Sequence, residues 1–313
     1  HRLAGDSVVA FSWRAVLMLR DQISQSGHTV SVIYGALPPE VRRREAERFA
    51  VGAADVLVAT DAIGMGLNLP IRRVLFSTLS KFDGVGDRDL SVSEVHQIAG
   101  RAGRYGLHDE GFVSVLKEAE ASSLKLLREL LPKEPRAPRD FKAPVAPNWR
   151  HVQTISQRMG VKKLYAVLSI FREQLKLDDA HFAVATLDQM LELAELLDRH
   201  ANTLSLQQRF VYAQAPVDTR LPVLLDAYAG WIEAHAARGQ VGWPAFIDDY
   251  DEHARLDRLE QGLRLCTLWL WLDLRFPGVF GEVESVHDLR GRLNDGIERQ
   301  LKGRKPLWQR RGR

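Results

Sequence analysis

Two stretches decide how this chain reads: DVLVATDAIGMGLNLP, residues 55–70, and VHQIAGRAGRYG, residues 95–106. The first is a short apolar run that stops abruptly at Thr60-Asp61 and is followed by Gly64 and Gly66. Such a run, bounded by turn residues, reads as a strand buried on both faces. The second stretch sets Gln97, Arg101 and Arg104 around Gly100 and Gly103. At about 100° per residue, a helix would bring 97, 101 and 104 within about 60° of one another, an amide and two guanidinium groups on one face. Each glycine in a helix costs roughly 1 kcal/mol relative to alanine, so the paired glycines predict close approach of something anionic. Two planar guanidinium donors suit phosphate oxygens.

Working outward, strand-like runs recur at residues 7–11 (SVVAF), 29–34 (TVSVIY), 73–78 (RVLFST) and 111–116 (GFVSVL), beside the run at 55–60. Helical spacing fills 13–26, and Pro38-Pro39 opens the charged helix EVRRREAERF, since proline is tolerated in a first turn. A further helix is expected at about 120–131, and KFDGVGDRDL, residues 81–90, reads as an excursion or hairpin before the arginine segment. Strands alternating with helices predict an α/β fold, a parallel sheet covered by helices. Ligands of such sheets bind outside the carboxyl ends of the strands. Ser12, Gly35 and Thr60-Asp61 all fall at such ends, so three strand ends point to one rim.

Residues 132–147, PKEPRAPRDFKAPVAP, hold five of the chain's thirteen prolines and mark an extended connection at a domain boundary. Beyond Trp149 the strand signals fade and apolar residues recur at helical spacing, as in Leu256, Leu259, Leu263, Cys266 and Leu270. The expected organisation is an α/β domain over 1–131, a proline-rich linker over 132–148, an all-α region over 149–302 and a basic tail over 303–313.

The 313 residues suffice for about two domains with cores of their own. A net charge of +3 is too small to mark a nucleic-acid binder, but seven of the last fifteen residues are basic and none is acidic. That end reads either as a solvated tail or as an arm contacting phosphates. The lone Cys266 excludes an intramolecular disulfide and favours a reducing compartment. No signal peptide is visible, and charges interrupt the most apolar run, Leu263 to Phe280, so no membrane partner is expected. Arginine outnumbers lysine by 33 to 10, a compositional hint of a GC-rich bacterial genome.

Other motifs carry less. Thr60-Asp61 is the residue pair that commonly caps a following helix, although capping and phosphate binding can coexist there. Gly64-x-Gly66 is no dinucleotide fingerprint, because Leu69 holds the third glycine position. Asp251-Glu252-His253 reads as a solvated helix start, and no histidine spacing suits a metal. The tryptophans, Trp269 and Trp271 among them, read as core.

VVAFSW, VIYGALPPEVRRREAERF, VLVATDAIGMGLNLPIRRV and HQIAGRAGRYG together resemble the motifs of the second RecA-like domain of superfamily 2 DExH helicases. Within these, the chain resembles the suppressor-of-Var (Suv) family of ATP-dependent RNA helicases. LSLQQRFVYAQAPV at 204–217 and LWLWLDLRFPGVF at 268–280 resemble that family's helical C-terminal region, so the likeness covers nearly the whole chain.

The resemblance implies that Arg101 and Arg104 face the γ-phosphate of ATP, with Arg104 the better candidate for the arginine finger. Gln97 would help order the γ-phosphate and the attacking water, and Gly66 and Asn68 would lie near the ribose. Ser12, Gly35, Thr60 and Asp61 would line the RNA backbone track. Family members move 3′ to 5′ on RNA and often work beside a degradative exoribonuclease.

The chain contains no GxxxxGK[ST] loop and no strand-borne DExH box. The residues that hold ATP with Mg²⁺ are expected in a first RecA-like domain preceding His1, and the chain alone is expected not to hydrolyse ATP usefully. A non-catalytic RNA-binding adaptor that recruits a nuclease, and a DNA-acting helicase of the same superfamily, stay open. The expected compartment is a bacterial cytoplasm, with the mitochondrial matrix as the alternative.

Overall fold

A computed structural model describes residues 5–64, 68–83, 85–103, 110–136, 141–175 and 181–302. The chain divides into two units, residues 1–136 with 294–313, and residues 137–293. The first unit is built on five parallel strands: β1 (Asp6–Val9), β2 (Val30–Ile33), β3 (Val56–Ala59), β4 (Arg73–Phe76) and, after a short hairpin of β5 (Ser80–Phe82) and β6 (Asp87–Asp89), β7 (Phe112–Val115). Their spatial order is β2-β3-β1-β4-β7. All five expected strands are present, one or two residues shorter than their sequence runs.

β1, β2 and β3 are buried at every position, as strands covered on both faces must be. The helices are α1 (Trp13–Gln25), α2 (Pro39–Ala50), α3 (Val92–Ala99) and α4 (Ala121–Leu130). The connection from β1 to β2 crosses the sheet one way and that from β2 to β3 returns, so right-handed crossovers put α1 and α2 on opposite faces. The core joins Val9, Ile33, Leu57 and Phe76 of the strands to Val95 and Ile98 of α3 and Leu127 of α4.

Two charged contacts secure the sheet. Arg73 donates to both Asp6 carboxylate oxygens at 3.0 and 2.5 Å, joining the first residues of β1 and β4. At the β2 edge, the buried Glu45 carboxylate of α2 accepts the Val32 N–H at 2.9 Å. This occupies a donor that an open edge would offer to a foreign strand.

The second unit is mainly helical: α5 (Trp149–Met159), α6 (Leu164–Gln174), α7 (Asp188–His200), α8 (Leu206–Tyr212), α9 (Pro222–Arg238), the single turn α10 (Phe246–Asp249) and α11 (Leu256–Arg275). It also holds β8 (Ala143–Val145), within the proline-rich stretch, paired in parallel with β9 (Phe182–Val184). The half-buried Asp198 of α7 accepts the Leu164 and Tyr165 N–H groups at 3.0 and 2.9 Å and pairs with the buried Arg209 of α8. Trp269 is fully buried and packs edge-on against Trp231 and Phe280, whereas Trp13 and Trp243 are exposed. Residues 251–255 form a turn before α11, in which the Asp251 carboxylate accepts the His253 N–H at 2.9 Å.

The final helix, α12 (Val283–Leu301), begins in the second unit. From Asn294 it belongs to the first, where Arg44 of α2 meets Glu298 at 2.8 Å and Arg20 of α1 donates to the Gln300 carbonyl at 2.8 Å. No described helix is long and apolar enough to cross a membrane.

Candidate nucleotide and nucleic-acid site

The carboxyl ends of the parallel strands form a common rim, and backbone hydrogen bonds carry the ladder one residue past each strand. Ala10 N–H donates to Ala59, Thr60 N–H to Ile33 and Ser77 N–H to Val9, each at 2.9 Å. Because β2, β3 and β1 are neighbours, Gly35, Thr60-Asp61 and Ser12 stand along one side of that rim. Ser12 caps α1 by accepting the Ala15 N–H at 3.1 Å. Gly35 is exposed, and its carbonyl accepts from Arg42 at 2.8 Å. Thr60 is buried, with its hydroxyl accepting the Ala62 N–H at 3.3 Å, so its side chain is spent on the turn. Asp61 and Asn68 are exposed.

After Thr60 the chain makes a single 3₁₀ turn, Asp61–Gly64. Gln97 of α3 donates to the Gly64 carbonyl at 3.4 Å, and Arg101 donates to the same oxygen. A Cβ on residue 64 would fall 3.0 Å from the Gln97 amide nitrogen, so a larger residue would push the Gln97 side chain back by a few tenths of an ångström. The stretches 55–70 and 95–106 therefore meet at one carbonyl.

The helical geometry expected across 97–104 is not what forms. α3 ends at Ala99 with Gly100 as its cap, so Arg101 lies beyond the helix. Gly103 has φ +65°, donates its N–H to the Ile71 carbonyl at 3.0 Å, and would place a Cβ 2.3 Å from the Gly111 nitrogen. Approach of the protein's own backbone, rather than of an anion, explains this glycine. Arg104 and Gly66 lie outside the described residues.

An ionic cluster that sequence reasoning missed fixes the β5–β6 hairpin to α3. Glu94 receives both Arg88 guanidinium nitrogens at 2.9 Å and Lys81 Nζ at 2.6 Å. Ser91 and Glu94 complete a capping box, and the pattern Ser-x-x-Glu at 91–94 was its visible signal. Arg88, followed by Lys81 and Ser91, holds the Glu94 carboxyl well below the usual carboxylate range despite partial burial. Glu94 in turn raises Lys81, whose Nζ also lies 3.4 Å from Asp61. The acid on the rim thus has a cation beside it. Among the described residues, no group of three or more His, Cys, Asp or Glu side chains could hold a metal ion.

Against this geometry the comparisons are specific. The helicase conserved C-terminal domain matches residues 1–106, which span the sheet through β4, the hairpin and α3. The ATP-dependent RNA helicase SUV3 C-terminal domain matches residues 256–303, which contain α11 and α12. The chain belongs to the Suv family of superfamily 2 helicases. It corresponds to the family's C-terminal region.

Relatives include the mitochondrial ATP-dependent RNA helicase SUV3 of Oryza sativa subsp. japonica, 35% identical over 99% of this chain and 53% of that protein. The mitochondrial DExH-box ATP-dependent RNA helicase DExH16 of Arabidopsis thaliana is 34% identical over 96% of this chain and 52% of that protein. The mitochondrial SUV3 of Candida albicans is 32% identical over 95% of this chain and 44% of that protein. The chain spans about half the length of the curated relatives it matches. All three relatives are named as mitochondrial proteins, which overturns the bacterial cytoplasm expected from the arginine-rich composition. Codon bias toward arginine reports base composition, and base composition does not specify a compartment.

Proposed function

We propose that the chain is the second motor domain and helical C-terminal region of a mitochondrial ATP-dependent RNA helicase. It forms one wall of a nucleotide site that a first RecA-like domain completes. The observation that carries this reading is the convergence of Gln97 and Arg101 on the Gly64 carbonyl. It ties the turn leaving the rim to the segment leading into Arg104.

An exposed amide beside a glycine turn, in a sequence without a phosphate loop, suits one side of a nucleoside triphosphate. ATP, when bound, supplies the phosphoryl group whose transfer drives movement. Gln97 orients the attacking water. Arg101, held by a backbone carbonyl, positions the segment. Arg104 offsets the charge that develops on the transferring group, a role worth roughly 10³ to 10⁵ in rate. Gly66 and Asn68 lie toward the ribose, and the first domain contributes the phosphate-binding lysine and the carboxylates for Mg²⁺.

Ser12, Gly35, Thr60 and Asp61 line the RNA track, Ser12 through its hydroxyl and Gly35 and Thr60 through the backbone. An exoribonuclease consuming the unwound strand is the expected partner in RNA turnover. In the full-length protein, Arg104→Ala should lower RNA-stimulated ATP hydrolysis by about 10³ or more without changing the melting temperature. Turnover near the wild-type rate would refute the assignment.

A further inference from the structure

Trp13 is 42% exposed. Single exposed aromatic residues are ordinary on protein surfaces; this one is set apart by its location. It is the first residue of α1, directly after Ser12 and four residues past the end of β1, the middle strand of the sheet. The Arg14 guanidinium carbon lies 5.4 Å from the centre of its ring, within the range where a cation is attracted to an aromatic face.

The cap on this helix leaves donors over. Ser12 Oγ takes the Ala15 N–H, and the Ser12 carbonyl takes the Val16 N–H at 3.0 Å. The N–H groups of Trp13 and Arg14 are the remaining donors of the first turn, at the positive end of a 13-residue helix. A broad apolar ring, a guanidinium and two backbone donors therefore stand together on the rim. Single-stranded nucleic acid offers the matching pair, a base face and a phosphate.

We propose that Trp13 is a stacking platform for one base of the RNA strand on the carboxyl rim, with Arg14 and the amino end of α1 taking the adjacent phosphate. The proposal rests on the RNA-helicase reading above. Every base has a π face, so the contact grips without reading sequence. Stacking strength makes it larger for adenine than for uracil runs.

The test compares full-length wild type, Trp13→Ala and Trp13→Phe by fluorescence anisotropy. The ligands are an oligoadenylate of about ten nucleotides and an abasic ribose-phosphate oligomer of equal length. Trp13→Ala should weaken oligoadenylate binding by roughly 5- to 150-fold, Trp13→Phe should recover most of the loss, and abasic binding should not change. Unchanged oligoadenylate binding by Trp13→Ala would overturn the proposal. An equal loss on both oligomers would also overturn it, because the ring would then act through protein packing such as a neighbouring motor domain. If wild type bound neither oligomer, the RNA reading of the rim would itself fail.

Discussion

Lys81 Nζ stands 2.6 Å from the Glu94 carboxylate, and this pair joins a hairpin strand to the first turn of α3. Arg88 adds two further bonds to the same carboxylate. One side chain of α3 thus controls both its own cap and the placement of β5 and β6. The Glu94 carboxyl is held below its ordinary value of 4.5, so its contribution to stability is complete above that pH and is lost as the pH falls below it. Unfolding free energies of wild type and Glu94→Gln should differ near neutrality by about 1 kcal/mol or more and draw steadily closer as the pH is taken further below 4.5.

The second unit carries its own pH signature. His235 is buried against Tyr212, whose hydroxyl lies 2.8 Å from Nδ1, and burial lowers its pKa from 6.5. The unfolded chain binds the proton more readily, so stability is present above pH 6.5 and declines as pH falls from there. A stability profile between about pH 7 and 5 should show this slope in wild type and lack it in His235→Phe. That variant should also be less stable at neutral pH by about 1–3 kcal/mol, because the Tyr212 hydroxyl loses its partner.

Asp198 and Arg209 are nearly buried, with side chains 8% and 9% exposed. Arg209 also donates to the Lys162 carbonyl at 3.0 Å. Removing one member of a buried pair strands the other, at a cost of about 3–5 kcal/mol. Arg209→Leu should lower the denaturation midpoint accordingly. Asp198→Leu/Arg209→Leu together should recover part of the loss, because no isolated charge is then left inside.

Gly103 is the sharpest backbone constraint at the site, with positive φ and Gly111 against its Cα. Gly103→Ala should destabilise by about 1–3 kcal/mol and, in the full-length protein, should reduce ATP turnover with little change in RNA affinity. Circular dichroism melting and steady-state turnover check the two parts.

The sheet was legible because its strands are covered on both faces and so appear as uninterrupted apolar runs such as VLVA at 56–59. The carboxyl rim followed from the alternation of strands and helices, and Ser12, Gly35 and Thr60-Asp61 lie just past the strand ends that form it. The end of α3 was not legible. Helical periodicity continues through IAGRAGR, but Gly103 adopts positive φ to meet Gly111, a contact eight residues away in sequence that periodicity cannot report. The Lys81–Glu94 and Arg88–Glu94 pairs were hidden for the same reason, since charges on a hairpin give no sign of the helix they will face. β8 and β9, at three residues each, pair across some forty positions. Runs so short carry no alternation from which to read a strand.

In the proposed function, the segment after Gln97 and Arg101 delivers Arg104 to charge that exists only in the transition state. Binding of ADP with tetrafluoroaluminate, compared with ADP alone, isolates that interaction in full-length wild type and Arg104→Ala. The variant should keep its ADP affinity and lose about 10³-fold or more of the extra affinity for the tetrafluoroaluminate complex. An undiminished gain from tetrafluoroaluminate in Arg104→Ala would contradict it.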